Sequence, residues 1–118
     1  MSKAYRVPVR DEDRIRAELA LNLVATSTGV PVRRIRSQDR LIGREGRARR
    51  LAIYLAYVTF GWPMDRVGHA FGLNRTTAAY ACHWVEDARD APALDEVLDR
   101  LEACAKQVLA ISASRVLA

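Results

Sequence analysis

Cysteine is scarce in this chain of 118 residues: Cys82 and Cys104 are the whole complement. Two cysteines make neither a disulfide framework nor a zinc-site spacing. They fit a reducing compartment, with each thiol packing as a small apolar group. Histidine is equally sparse. His69 and His83 have no Cys or carboxylate set at ligand spacing around them, so no metal centre and no cofactor are expected. No apolar run at the start resembles a secretion signal, and the longest apolar stretch, 51–60, is too short for a bilayer. A cytoplasmic, nucleoid-associated protein with no membrane partner is the expectation. The chain also lacks a G-x-x-x-x-G-K-[ST] phosphate loop, so nothing is there to cradle a nucleotide for hydrolysis. No oriented base stands beside Cys82, and Glu86, Asp87 and Asp90 read as surface charges. The chain is not expected to be an enzyme. Finally, there is no internal repeat and no alternating strand pattern, which leaves an all-α class.

What is present fits one small helical bundle. Half of the residues are hydrophobic and the net charge is +5, with a pI near 9.8. One domain of this size can bury one core, and its basic balance points to a polyanion. Residues 1–10 read as a flexible arm, 11–110 as the domain and 111–118 as a frayed tail. Asp11, Glu12 and Asp13 suit a helix start. Ile15, Leu19, Leu23 and Val24 follow at helical spacing, and Gly29 ends that helix. Pro31 opens a short turn carrying Val32 and Ile35. Gly43 and Gly46 break the next stretch. A long helix then runs over 47–60 with Leu51, Leu55 and Val58 inward. "GWP" separates it from a short helix over 63–71, and a second follows over 74–89. The last helix, 94–109, carries Leu94, Val97, Leu98, Leu101, Ala105 and Val108 at i, i+3, i+4, i+7 spacing. That stripe is expected to fold back on the chain's own core in a monomer. The other possibility is that Leu98, Leu101 and Leu109 pair with a second copy.

The segment "VGHAFGLNRTTAAYACHWV" has the layout of a helix-turn-helix. Gly72 sits in the turn, and Val67, Phe71 and Leu73 fill the angle between the helices. Gly68 allows close contact there. Asn74 caps the second helix, its amide oxygen accepting from the backbone near Thr77. Ala78, Ala81 and Val85 line its inner face, with Cys82 near the buried side. Arg75, Thr76, Ala79, Tyr80 and His83 fall on the outer face. The start of such a helix enters the major groove. Arginine suits guanine, asparagine suits adenine, and threonine offers a methyl and a hydroxyl. Asn74, Arg75, Thr76, Thr77 and Ala79 are therefore the expected base-facing residues. The same pattern also occurs in small bundles that bind nothing.

Upstream, "RRIRSQDRLIGREGRARR" covers 33–50. Its cations are all arginine, opposed only by Asp39 and Glu45. Arginine forks suit phosphates and narrow minor grooves, although a charge run is often only a solvated face. Arg40, Arg44, Arg47, Arg49, Arg50 and, from the second helix, His83 are the expected backbone or minor-groove contacts. Gly43 and Gly46 would let the chain follow the phosphates.

Taken together, "RARRLAIYLAYVTFGWPMDRVGHAFGLNRTTAAYACHWVE" resembles the C-terminal DNA-binding domain (domain IV) of the bacterial replication initiator DnaA. Arg47, Arg49, Ala52, Leu55 and Ala56 match that family's "R-x-R-Q-x-A-x-x-L-A". Val67, Gly68, Ala70, Phe71 and Gly72 match its "I-G-x-x-F-G". Thr76, Thr77, Ala81, Cys82 and Val85 match its "D-H-T-T-V-x-x-A-x-x-x-I". The resemblance covers roughly 14–109. It implies a stand-alone reader of double-stranded DNA without the initiator's motor, regulating transcription or replication, one unit per site. Three departures stand out. Asn74-Arg75 replaces Asp-His, the preceding turn is one residue shorter, and Leu41, flanked by Arg40 and Arg44, stands where the family has its minor-groove arginine. A shared mode with a different target sequence follows. The rival reading is a protein-interaction module that docks through helix 94–109.

Overall fold

The structure, a computed structural model, describes residues 7–37, 39–111 and 113–118. Among these there are seven helices and no strand: α1 Asp11–Thr28, α2 Val32–Arg36, α3 Gly43–Phe60, α4 Met64–Ala70, α5 Arg75–Ala88, α6 Pro92–Leu109 and α7 Ala113–Leu117. The all-α bundle is thus what the sequence suggested. No helix is long and apolar enough to cross a membrane among the described residues. Of the arm expected over 1–10, residues 1–6 lie outside the description, and Val7 to Arg10 are non-helical up to the start of α1.

Helix α3 is the axis of the bundle. It touches α1, α2, α4, α5 and α6, and every residue from Leu51 to Ala56 is buried. A one-sided stripe of Leu51, Leu55 and Val58 was too narrow a reading. Val58 is only half-buried, while the opposite face is enclosed by neighbouring helices. The start of α3 also differs. Gly43 and Gly46 do not break the chain but belong to the first turn of α3. Gly46 is needed because a Cβ there would stand 2.8 Å from the Leu41 carbonyl oxygen. It cannot lend flexibility for following phosphates, because it is buried in a helix.

Helix α1 presents Asp13, Ala17, Ala20, Leu21 and Val24 to the core, spaced i, i+4, i+7, i+8, i+11. Ile15, read as part of the apolar series, is 63% exposed. The alanines define the packing face because they let α1 lie close to α3. Helix α1 ends at Gly29, whose φ of 79° is left-handed and so suits glycine.

Asp13, almost fully buried, is explained by Arg66 on α4. The guanidinium donates through Nε at 2.9 Å and through a terminal nitrogen at 2.8 Å. Those hydrogen bonds hold the Asp13 carboxyl below the ordinary aspartate range. A depressed folded-state pKa stabilises the fold above the unfolded value, and that stability is lost as pH falls through the folded value. Stability should therefore fall in acid below pH about 4. Asp13→Asn should cost about 2 kcal/mol at neutral pH and flatten that acid limb. Denaturant melts from pH 7 to pH 2.5 check it.

Helix α6 turns Leu98, Leu101 and Ala105 into the core against α1 and α3, while Val97 and Val108 are each 43% exposed. The stripe folds back on its own chain but is narrower than the spacing implied. The tail expected to be frayed from 111 instead carries the short helix α7, with Val116 and Leu117 in solvent. Its alanine, arginine and leucine favour helix locally. Ser112 lies outside the described residues.

Candidate nucleic-acid interface

Helices α4 and α5 meet across a four-residue connection. Phe71 closes α4 through its N–H to the Val67 and Gly68 carbonyls, and the Leu73 N–H donates to the Gly68 carbonyl at 2.8 Å. Gly72 takes φ 72°, open to glycine without strain. A Cβ on Gly68 would stand 2.8 Å from the Leu73 oxygen and 3.1 Å from the Asn74 oxygen. The backbone of the connection therefore rests directly on α4. Val67 is fully buried in the angle, and Phe71 and Leu73 pack half-buried beside it. Ala78, Ala81, Cys82 and Val85 form the inner face of α5. Burial pushes the Cys82 thiol up to about 11, which keeps it protonated and inert.

The outer face begins at Asn74. Its Oδ1 accepts from the Thr77 N–H at 2.8 Å, as the cap requires. That bond spends the amide oxygen. Two-point pairing with adenine needs both oxygen and nitrogen, so Asn74 in this rotamer offers a base only its Nδ2. Arg75, Thr76 and Thr77 are exposed, as are Tyr80 and His83, while Ala79 is half-buried. Arg75, Thr76, Ala79 and His83 share an open cleft with Tyr57 and Trp62 at the far end of α3. His83 Nδ1 lies 3.6 Å from a Glu86 oxygen.

No family model, no curated protein and no solved structure matches this chain.

The residues of the three quoted motifs can nonetheless be placed. Val67 and Gly68 are buried in α4, Ala81, Cys82 and Val85 in α5, and Ala52, Leu55 and Ala56 in α3. Thr76 and Thr77 are exposed at the start of α5.

The arginines of 33–50 separate into two groups. Arg33, Arg40 and Arg47 are exposed and have no hydrogen bond or ion pair with any described residue. The rest are engaged. Arg34 pairs with Glu45 at 3.0 Å and with Asp39 at 3.0 Å. Arg36 pairs with Glu18 on α1. Arg44 donates to the Thr28 carbonyl at 2.8 Å, at the end of α1. Arg50 lies half-buried over the Trp84 ring, 4.2 Å from its centroid.

Arg49 corrects the sequence reading most sharply. It does not project towards solvent as a phosphate contact. Its Nε donates to the Ile35 carbonyl at 2.9 Å, and its terminal nitrogens donate to the carbonyls of Asp39, at 3.1 Å, and Ser37. Burial, joined by the nearby Arg34 charge, pulls its pKa below the usual arginine value. Arg49 is thus the internal clamp of the α2–α3 loop. Arg50 is likewise tied up on Trp84, and Arg44 keeps only part of its fork free. Conversely, Arg33 was passed over as a contact although it is among the least encumbered cations. Its position on the short α2, opposite the buried Ile35, was the available signal.

Proposed function

We propose that the chain is a sequence-specific double-stranded DNA-binding protein that regulates transcription or replication by occupying sites. In this reading α4 and α5 act as a helix-turn-helix, with the start of α5 in the major groove and the α2–α3 region on phosphates and the minor groove. One observation carries it. Helices α1, α3, α4 and α6 each have an acidic residue in the first turn, while α5, like the five-residue α2 and α7, has none, and among the helices longer than five residues it is the one that begins with a cation, Arg75. A cation at that end opposes the helix dipole and weakens the fold. Asn74 caps this end, but Arg75 itself has no hydrogen bond or ion pair with any described residue. A bound polyanion would offset its charge. The resemblance to the initiator's DNA-binding domain, with its departures at Asn74, Arg75 and Leu41, supports the same reading and a different target. The rival, docking through helix 94–109, is weakened because Leu98, Leu101 and Ala105 are spent on the chain's own core.

Selection of bound duplexes from a random pool tests this directly, and enrichment of one motif is the expected outcome. Arg75→Ala should then lower the preference for that motif over scrambled duplex by about 5- to 150-fold, the worth of one base contact. Arg47→Ala should weaken both duplexes equally. An unenriched pool, or an Arg75→Ala preference equal to wild type, would refute the assignment. Fluorescence anisotropy on the two duplexes reads the ratio.

A further inference from the structure

Helices α1, α2 and α3 and the connection from α4 to α5 enclose a cavity of about 230 Å³. Its apolar lining is made by Ala17, Leu21, Ile35, Phe71 and Leu73. Ala17, Leu21 and Ile35 are buried residues of the core, so the fold itself holds that surface in place. Pockets for drug-sized ligands begin at roughly 300 Å³. A slightly smaller one takes a single ring or a short alkyl chain.

The polar side of the cavity carries an unmatched charge. Arg14, Arg36 and Arg49 line it, with Glu18 as the one acid among the described lining residues. Arg36 pairs with Glu18, and Arg14 pairs with Asp11 at 2.7 Å. Arg49 bonds no carboxylate. Its partners are the carbonyls of Ile35, Asp39 and Ser37 and the Ser37 hydroxyl, all neutral. Those bonds leave one of the guanidinium's N–H groups without a partner among the described residues. A cation drawn partly out of water is stabilised by a counter-charge, and no described acid touches this one. The same bonds consume the acceptors of the α2–α3 wall. Ser37 Oγ accepts from the Asp39 N–H at 3.3 Å and from Arg49 at 3.4 Å, which leaves its own proton to donate. Glu18 takes only one nitrogen of Arg36. This wall therefore presents donors to whatever enters.

We propose that the cavity binds a small organic acid, with its carboxylate on Arg36, Ser37 and Arg49 and its apolar body against Leu21, Ile35, Phe71 and Leu73. Guanidinium forks and a hydroxyl donor suit a carboxylate, and the apolar lining suits a hydrocarbon body. An inorganic anion would answer only the charge, and an alcohol only the apolar surface. The site goes beyond the DNA-binding reading and does not depend on it.

The test uses the full chain without DNA. Phenylacetate and hexanoate are the probes. Their alcohols, 2-phenylethanol and hexan-1-ol, lack the charge, and inorganic phosphate lacks the body. Methyl NMR signals of Leu21, Ile35 and Leu73 are followed during each titration. At least one acid should shift all three saturably and leave Val116 and Leu117 on α7 unmoved. Its alcohol should bind about tenfold more weakly or worse, and phosphate should leave the methyls where they are. Arg36→Gln should melt like wild type, because that side chain is 49% exposed. It should bind the acid about tenfold more weakly and the alcohol as before. Ala70→Leu, half-buried on the same lining, should block acid and alcohol alike by filling the space. The proposal is overturned if neither acid gives a saturable shift, if an alcohol matches its acid, if phosphate reproduces the shifts, or if either variant binds the acid as wild type does. None of these results touches DNA binding, and a chain that binds no duplex would leave this site standing.

Discussion

Raising the salt from 50 to 200 mM should weaken duplex binding by about 500-fold. The figure follows from which cations are free. Arg33, Arg40, Arg47 and Arg75 have no bonding partner among the described residues, and Arg44 keeps part of its fork. Five neutralised phosphates give a slope of log affinity on log salt of about −4.5, and a fourfold rise in salt then costs about 500-fold. Treating all eight arginines of 33–50 as phosphate contacts would instead give a slope near −7 and a loss above roughly ten-thousand-fold. The two counts are far enough apart for anisotropy titrations at four or five salt concentrations to separate them. A slope near −7 would mean that the internal pairs of Arg34, Arg36 and Arg49 open on binding. A flat response would remove the polyanion from the account altogether.

Replacing Arg89 by alanine should have the largest effect on stability of any change to a charged residue. This guanidinium closes α5, is 17% exposed, and collects three carboxylates: Asp95 at 2.6 Å, Asp99 at 2.7 Å and Glu102 at 2.7 Å. It also donates to the Tyr54 hydroxyl at 3.1 Å, which ties α5 and α6 to the central α3. Burial works against its charge, but the hydrogen bonds with Asp95, Tyr54 and Glu102 outweigh it, so its pKa stands above the ordinary arginine value. Removing the cation leaves three acids facing one another without a counter-charge. The expected cost is about 3 kcal/mol, which for a domain of this size lowers the Tm by roughly 15 °C. Arg89→Lys should recover little, because a single ammonium cannot span the sites that the planar fork reaches. In the alanine variant the crowded carboxylates hold their protons more tightly, so its deficit should shrink as the pH falls towards 4. Thermal melts followed by circular dichroism at pH 7 and pH 4.5 measure both effects. A loss under about 1 kcal/mol would show the cluster to be a surface network of ordinary weak pairs.

Arg89 also shows where reading the chain stops. Its carboxylates lie on the next helix, and Asp99 and Glu102 were not distinguished from other surface acids in a helix read only for its apolar stripe. Arg66 finds Asp13 across 53 positions, and Arg49 finds carbonyls 10 to 14 positions away. An arginine in a sequence carries no mark of which partner it will meet. The rotated face of α1 has a related origin: small alanines decide how closely helices pack, yet they register weakly in any search for large apolar residues.

The sequence by itself determined the elements whose causes are local. Gly29, Gly72 and the Asn74 cap act within four residues of where they stand, so the ends of α1 and α5 and the turn between α4 and α5 could be read directly. Helical spacing likewise set the inner face of α5 and the exposure of Arg75, Thr76 and His83. Only the tertiary structure decided which arginines remain free and why Gly46 sits inside a helix. It alone left Ile42 exposed at the N-cap of α3. Those outcomes depend on groups far apart in the chain competing for the same guanidinium or the same space, and that competition is resolved only once the helices have packed.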